Sequence, residues 1–405
     1  VRTGTRALRL GDYNQQVVLE LVRTRTATSR AELAQRTGLT FQAISKIVRR
    51  LVASGLLLED TSREAARTGR PPTVLRIDPT AAYALGVHID RDETAYVLVD
   101  LAGTVVERER RRTPRRGGPS RSADQIARVT RQLVERSGVE RDQVLGVGVG
   151  APGPLDPGEG ILDNPGGMPE WGRVHLKKML VERIGCDVAV DNDAVAAAVG
   201  ETWNGKAHDV RNLLFVYIGW GLGTALVLDG QVYRGGAGLG GDLYHVPIDP
   251  GGPLCPCGSR GCVGQYASPA AILEDVRRRS KVRRHTASRP GAAPTPSSYG
   301  DVCRVAVNGP SVERDALVHA ATMLGLGLLG VVAVLDPDLV VLGGAGLEAA
   351  RPIYESVIHR TLTERVPLPG QRETRVAISD AGSDVGAIGA ASLLLHNTYA
   401  PRFTG

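Results

Sequence analysis

"LLFVYIGWGLGTALVLDGQVY", residues 213–233, is two apolar runs joined by a Gly-x-Gly-x-Gly turn. Continuous apolar runs of this length, bounded by glycines, read as a hairpin of buried strands. A counterpart stands much earlier, "YALGVHIDRDETAYVLVDLAGTVV", residues 83–106. Each hairpin is followed by the same kind of material. After the first come an amphipathic helix over 122–137, the buried strand and Gly/Pro turn "VLGVGVGAPGPLD" (144–156), the helix "KKMLVERIG" (177–185), and "DVAVDNDAVAAAVGE" (187–201), a strand entering a helix. After the second come the long helix "ALVHAATMLGLGLLGVVAVLD" (316–336), the strand and glycine turn "LVVLGGAG" (339–346), and the closing helix "VGAIGAASLLLH" (385–396). Two such sets predict a duplicated, two-lobed α/β body with a cleft between the lobes. The first lobe is expected over 81–193 with the C-terminal helix 384–400, the second over 194–383.

Residues 1–80 are different. Residues 1–78 hold fourteen Lys/Arg against seven Asp/Glu, a charge of +7, while the whole chain carries +6, so the rest is near neutral. Residues 14–24 have apolar positions at helical spacing. Ser29 followed by Glu32 is a capping box for a short helix ending at Gly38, and Thr40 caps a third helix with the stripe Ile44, Ile47, Val48 and Leu51. Two short helices around a glycine turn are the helix-turn-helix pattern. "LLLED" and "TVLRI" add two strands, with a wing between them that carries Arg67 and Arg70 near its tip. The predicted N-terminal domain, 1–80, is a winged helix-turn-helix. Gln42, Ser45, Lys46 and Arg49 on the third helix are the expected readers of double-stranded DNA, and Arg67 and Arg70 are expected at a minor groove. A protein-interaction module with a basic face is the alternative.

Charged residues make up 23% and apolar ones 42%, which excludes general disorder. No uninterrupted run of 18 apolar residues predicts a membrane span, and "VRTGTRALRLGDYNQQ" lacks the apolar core of a signal peptide, so a cytoplasmic location is expected. The basic stretch 277–298, which turns Pro/Ser-rich, reads as a mobile surface loop, and 107–121, "ERERRRTPRRGGPSR", as a solvated strand-end loop.

Three of the five cysteines cluster in "HVPIDPGGPLCPCGSRGCVGQY", residues 245–266. His245, Cys255, Cys257 and Cys262 offer one imidazole and three thiolates, the donor set of a closed tetrahedral structural zinc site. A redox cluster is the competing reading. Asn192 and Asp193 sit where a strand gives way to a helix, so they are either site residues at the cleft or a plain helix cap.

The "APGP" turn, the "DNDA" motif, the Gly-x-Gly-x-Gly turn, the cysteine cluster and the late "LGG", in that order over residues 81–400, resemble the ROK family of bacterial sugar kinases and sugar-responsive transcriptional regulators. The winged helix resembles the regulator branch. The resemblance implies an actin-like, ribonuclease-H-like sugar-kinase fold, structural zinc on the four clustered ligands, and a sugar held by Asn192, Asp193, Asp242 and His245, with Asp193 in the position of the kinases' general base. It also implies a homodimer or homotetramer. The chain departs from the pattern. Asp242 replaces a glutamate, Gly264 replaces a carboxylate, and Gly167 stands where an asparagine is expected. In the first phosphate loop His88, Asp90 and Arg91 replace an aspartate and two glycines, and Trp220 intrudes on the second. A repressor that senses a sugar or sugar derivative and binds no ATP is expected. An ATP-dependent sugar kinase, or a regulator answering to a protein partner, is the alternative.

Overall fold

The computed structural model describes residues 7–61, 73–236, 238, 240–286, 296–364 and 374–401. The N-terminal part consists of α1 (Ala7–Arg23), α2 (Arg30–Thr37), α3 (Phe41–Ala53), β1 (Leu57–Thr61) and β2 (Thr73–Ile77). The capping box forms: Glu32 N–H donates to Ser29 Oγ at 3.2 Å, and Ser29 N–H donates back to Glu32 Oε2 at 3.0 Å. Gly38 ends α2 at φ 71°, and Ala43 N–H donates to the Thr40 hydroxyl at 3.2 Å to start α3. The stripe Ile44, Ile47, Val48 and Leu51 is buried against Val18, Leu33, Leu57 and Leu75. β1 and β2 pair antiparallel from Leu57↔Ile77 to Thr61↔Thr73. The expected wing tip, with Arg67 and Arg70, lies outside the described residues.

The first lobe runs β3 (Tyr83–Ile89), β4 (Glu93–Asp100), β5 (Val105–Arg112), α4 (Gly118–Ser137), β6 (Val144–Ala151), a small three-stranded sheet of β7 (Leu155–Asp156), β8 (Ile161–Asp163) and β9 (Arg173–His175), then α5 (Leu176–Ile184), β10 (Val188–Asn192) and α6 (Asp193–Asn204). The second runs β11 (Leu213–Ile218), β12 (Leu222–Leu228), β13 (Gln231–Tyr233), α7 (Gly264–Ala267), α8 (Pro269–Thr286), α9 (Tyr299–Val307), α10 (Val312–Leu335), β14 (Leu339–Gly343), α11 (Arg351–Glu364), β15 (Arg375–Ile378) and α12 (Val385–Tyr399). The main sheets have the orders β10-β6-β3-β4-β5 and β13-β12-β11-β14-β15. In each, three antiparallel strands are followed by two that add in parallel beside the first. The duplication read from the two hairpins is therefore a duplication of topology. α12 returns to the first sheet and packs on β3 and β6. It also crosses α6, where a Cβ on Gly200 would stand 2.9 Å from Gly389 Cα, so both helices need glycine at the crossing.

Two expectations are corrected. Residues 107–112 are not a strand-end loop but edge strand β5, whose alternating charges find partners: Arg136 bonds Glu107 at 3.3 Å and Glu109 at 2.6 Å, and Arg110 bonds Glu93 at 2.7 Å. An edge strand tolerates such a charge run because its outer side faces water. Residues 277–286 continue α8, because Arg277, Arg278 and Arg279 pair back one turn to Glu274 and Asp275. The helix α10 is long and apolar enough by length and composition to cross a membrane. Its buried residues, among them Leu317, Ala321, Leu324 and Leu328, instead fill the second lobe's core beside Val216, Val340 and Ile358.

Candidate functional site

The strand ends of the two lobes face each other across a cavity of about 460 Å³. All four expected sugar-side residues, Asn192, Asp193, Asp242 and His245, line it. Asn192 ends β10, and its side-chain oxygen accepts the N–H groups of Ala194 (3.0 Å) and Val195 (3.4 Å), so it does cap α6. Asp193 is the first residue of α6 and accepts Ala194 N–H at 2.8 Å. Burial, with the negative charge of Asp90 across the cavity, pushes its carboxyl up to about 7. At neutral pH that group can both donate to and accept from a hydroxyl. Asp242 is exposed and accepts the N–H of Tyr244 at 3.0 Å, closing its own turn.

Sequence reasoning gave no role to Asp191 or Arg234. Asp191 is buried at the end of β10 and takes a two-pronged bond from Arg234 (3.1 and 2.6 Å), which follows β13 in the other lobe. A planar guanidinium matches a carboxylate in this way. The pair ties the lobes beside the cavity, and only the acidic run "VDND" hinted at it.

The two glycine departures have a common physical cause. A Cβ on Gly264 would land in the face of the Tyr244 ring. A Cβ on Gly167 would stand 2.9 Å from Trp220 Cζ3. Each glycine makes room for an aromatic ring, and both rings line the cavity. On the other side of the hairpin tip, His88 is 5% exposed and its Nε2 lies 3.2 Å from the Tyr217 hydroxyl. Burial lowers its pKa. A Cβ on Gly386 of α12 would reach within 2.8 Å of the His88 ring, so the space around it is full. The Arg91 guanidinium carbon lies 5.3 Å from the centre of the Trp220 ring, a contact between the lobes.

The ligating atoms of His245, Cys255, Cys257 and Cys262 all fall within 4.8 Å of one another. Cys257 and Cys262 sulfurs are 3.7 Å apart, and Cys255 Sγ is 3.4 Å from His245 Nδ1. Zinc–sulfur bonds of about 2.3 Å in a tetrahedron put sulfurs ~3.8 Å apart, so the donors are spaced for zinc. No disulfide competes, since all three cysteines are free. The four ligands form the structural zinc site. The loop that carries them is clamped by short bridges, Pro247↔Cys262 and Leu254↔Arg260, and runs directly into buried Val263 and α7. The metal site thus sets where Gly264 stands, and through it the Tyr244 ring.

On α3, Gln42, Lys46 and Arg49 are exposed, while Ser45 is half-buried. Arg49 Nε donates to the Ser45 carbonyl at 3.3 Å. Phe41, 58% exposed, and Arg50 share that surface and were not anticipated. The N-terminal part is docked on the body. Arg23, at the end of α1, donates to the Thr202 carbonyl at 3.3 Å and to that of Trp203, and Leu56, Ile77 and Tyr399 pack at the same junction.

The ROK family profile matches residues 84–397. The xylose repressor of Bacillus spizizenii is 26% identical over 384 residues, covering 95% of each chain. Among solved structures, a ROK family transcriptional regulator homologous to the E. coli Mlc protein aligns with a TM-score of 0.77 and 25% identity over 96% of this chain and 97% of its own. A ROK family glucokinase from Streptomyces griseus, solved with glucose and AMPPNP, aligns with a TM-score of 0.65 and 26% identity over 77% of this chain and 99% of its own. The repressor and the regulator match along nearly the whole length, whereas the kinase covers about three quarters of this chain.

Proposed function

Since this chain belongs to the ROK family, we propose that it is a DNA-binding transcriptional repressor whose body senses a sugar or sugar derivative and no longer transfers phosphate. One observation carries the reading. α6 begins with Asp193 in the cavity and ends with Thr202 and Trp203, whose carbonyls Arg23 of the N-terminal part grips. A ligand that moves the lobes moves the N-terminus of this helix, and with it the seat of the DNA-reading module. The effect on DNA is set by the ligand's differential affinity for the two arrangements. In a symmetric dimer, the readers of α3 would meet half-sites about 34–36 Å apart, or multiples of that. Gln42, Ser45, Lys46 and Arg49 are the proposed base and phosphate contacts, with Arg67 and Arg70 at the wing, and a dimer or tetramer in the cytoplasm is the working form.

What stands against phosphoryl transfer is local to the hairpin tip. Phosphate loops need backbone N–H groups that the ligand can approach closely. Here the hairpin tip presents the acidic Asp90, and Arg91 is spent on Trp220. His88 fills the position behind them. Asp193 remains as a sugar-binding group.

The test selects a duplex from random DNA with zinc-loaded protein, then follows its release by fluorescence anisotropy while sugars are added. A saturable change in operator affinity with one sugar supports the reading. Selection of no sequence, or ADP formation from ATP and that sugar at kinase rates, overturns it.

A further inference from the structure

The charge of the cavity narrows what it can hold. Its carboxylates are Asp90, Asp191, Asp193 and Asp242, and its one arginine, Arg234, is taken by Asp191. Among the described residues Asp90, Asp193 and Asp242 make no ion pair. The zinc site adds no positive charge, because three thiolates outweigh one Zn²⁺. Three aromatic side chains, Tyr217, Trp220 and Tyr244, line the same space among glycines, prolines and aliphatic residues. Carboxylates together with ring faces are the surroundings in which an ammonium group is held, by charge-assisted hydrogen bonds and by attraction to the ring quadrupole. A phosphate or carboxylate there would meet the like charges of Asp90 and Asp242, a partly ionised Asp193 and, among the described lining residues, no unpaired arginine or lysine, which costs affinity as well as specificity.

We propose that the effector is an unphosphorylated sugar carrying a free amine, with its ammonium facing Asp90 and Asp193 and its ring between the aromatic side chains. The two carboxylates follow strands two apart in the first lobe's sheet, Asp90 in the turn after β3 and Asp193 at the start of α6 just after β10. Asp90 acts on the charge of Asp193 across the cavity, so one cation between them relieves both. The volume allows it. Even at the ~30 Å³ that each water molecule occupies in the liquid, the twelve non-hydrogen atoms of a hexosamine fill about 360 Å³, less than the cavity's 460 Å³. The inference rests on the sensing function proposed above and deepens it.

Titration calorimetry on the full-length, zinc-loaded protein separates the two. The probes are glucosamine, galactosamine and mannosamine, each beside its parent hexose, its N-acetyl form and its 6-phosphate. One free amine is expected to bind at least about tenfold tighter than its three counterparts, an advantage that shrinks as salt is raised. Asp90→Asn is expected to bring the amine and the parent hexose within about threefold of each other. Measuring the wild type at two salt concentrations gives the same information should that variant fail to fold. Equal binding of amine and parent hexose, or tighter binding of the N-acetyl form or the phosphate, overturns the inference and leaves sensing intact. Binding of none of the twelve compounds overturns this inference and counts against sugar sensing as well.

Discussion

The guanidinium of Arg23 lies over the Trp203 ring, 4.3 Å from its centre, while the same side chain donates to the carbonyls of Thr202 and Trp203. Trp203 is in turn fastened to the turn after β4 by its indole N–H, which donates to the Leu101 carbonyl at 3.0 Å. One cation therefore caps the C-terminal end of α6, where the helix dipole favours it, and seats α1 on the body. Glu20 holds Arg23 in place from the preceding turn, at 2.7 and 3.0 Å. Arg23→Ala removes this seat without touching α3. Coupling between two sites amounts to ~1–3 kcal/mol, or about 5–150-fold in affinity. The variant is expected to keep operator binding without effector to within about threefold and to lose most of the effector's influence on it. Anisotropy titrations with and without effector measure both. A coupling factor equal to the wild type's would remove Arg23 from the path.

Asp193 gives a stability prediction whose sign is opposite to that of most carboxylates. Its folded pKa, about 7, is raised above the value of a free aspartate, first by burial. The folded state therefore holds the proton more tightly than the unfolded one, and the contribution is fully present at acid pH. It is lost as pH rises from the unfolded value through about 7. Asp193→Asn cannot ionise, and its side-chain oxygen can still accept Ala194 N–H. The variant is expected to match the wild type near pH 4 and to exceed it at pH 8, with ~4 kcal/mol as the ceiling for a shift of this size, reduced by water in the cavity. Urea melts at the two pH values decide it. Equal stability of the two proteins at pH 8 would mean that the carboxylate is already solvated.

Much of this architecture was legible in the chain because its signals are local. Ser29, Glu32, Gly38 and Thr40 punctuate the helix-turn-helix in sequence order, and each does in the fold what its chemistry suggests. The zinc ligands were legible for the same reason, since three fall within eight positions. What escaped depends on distant neighbours. The bond of Arg234 to Asp191 joins residues 43 positions apart in different lobes. The grip of Arg23 on α6 spans 180 positions. Gly264 and Gly167 looked like losses when read singly, and only the rings of Tyr244 and Trp220 give them a reason. The charge runs were misjudged because their partners decide their structure: Arg136 for β5, and the acids one turn back for α8.

Zinc removal should be felt at the cavity and not only in the loop. Cys262 is fully buried and leads straight into Val263, which packs against Gly327 of α10. Cys257→Ser alters a more exposed ligand and disturbs the core less. That variant is expected to lose its stoichiometric zinc in metal analysis, to melt several degrees lower, and to bind effector at least about tenfold more weakly, because Gly264 and the Tyr244 ring lose their support. A variant that lost zinc and kept wild-type effector affinity would confine the metal to loop stability.

Arg49 tests the proposed DNA-reading face. It is exposed on α3, with its Nε held by the Ser45 carbonyl, and it makes no ion pair among the described residues. Its charge is free for DNA, and its removal leaves no buried group unpaired, so the fold should be indifferent to Arg49→Ala. If the guanidinium reads a base, the variant should lose ~1–3 kcal/mol for its selected operator and discriminate less at one position of the site. If it meets a phosphate, the loss should be similar across sequences, and the slope of log affinity against log salt should fall by about one. Anisotropy at three salt concentrations, on the selected operator and on scrambled DNA, distinguishes the two. Unchanged affinity for both duplexes at every salt would show that α3 does not face DNA through this side chain, and the basic surface would then have to be assigned to another partner.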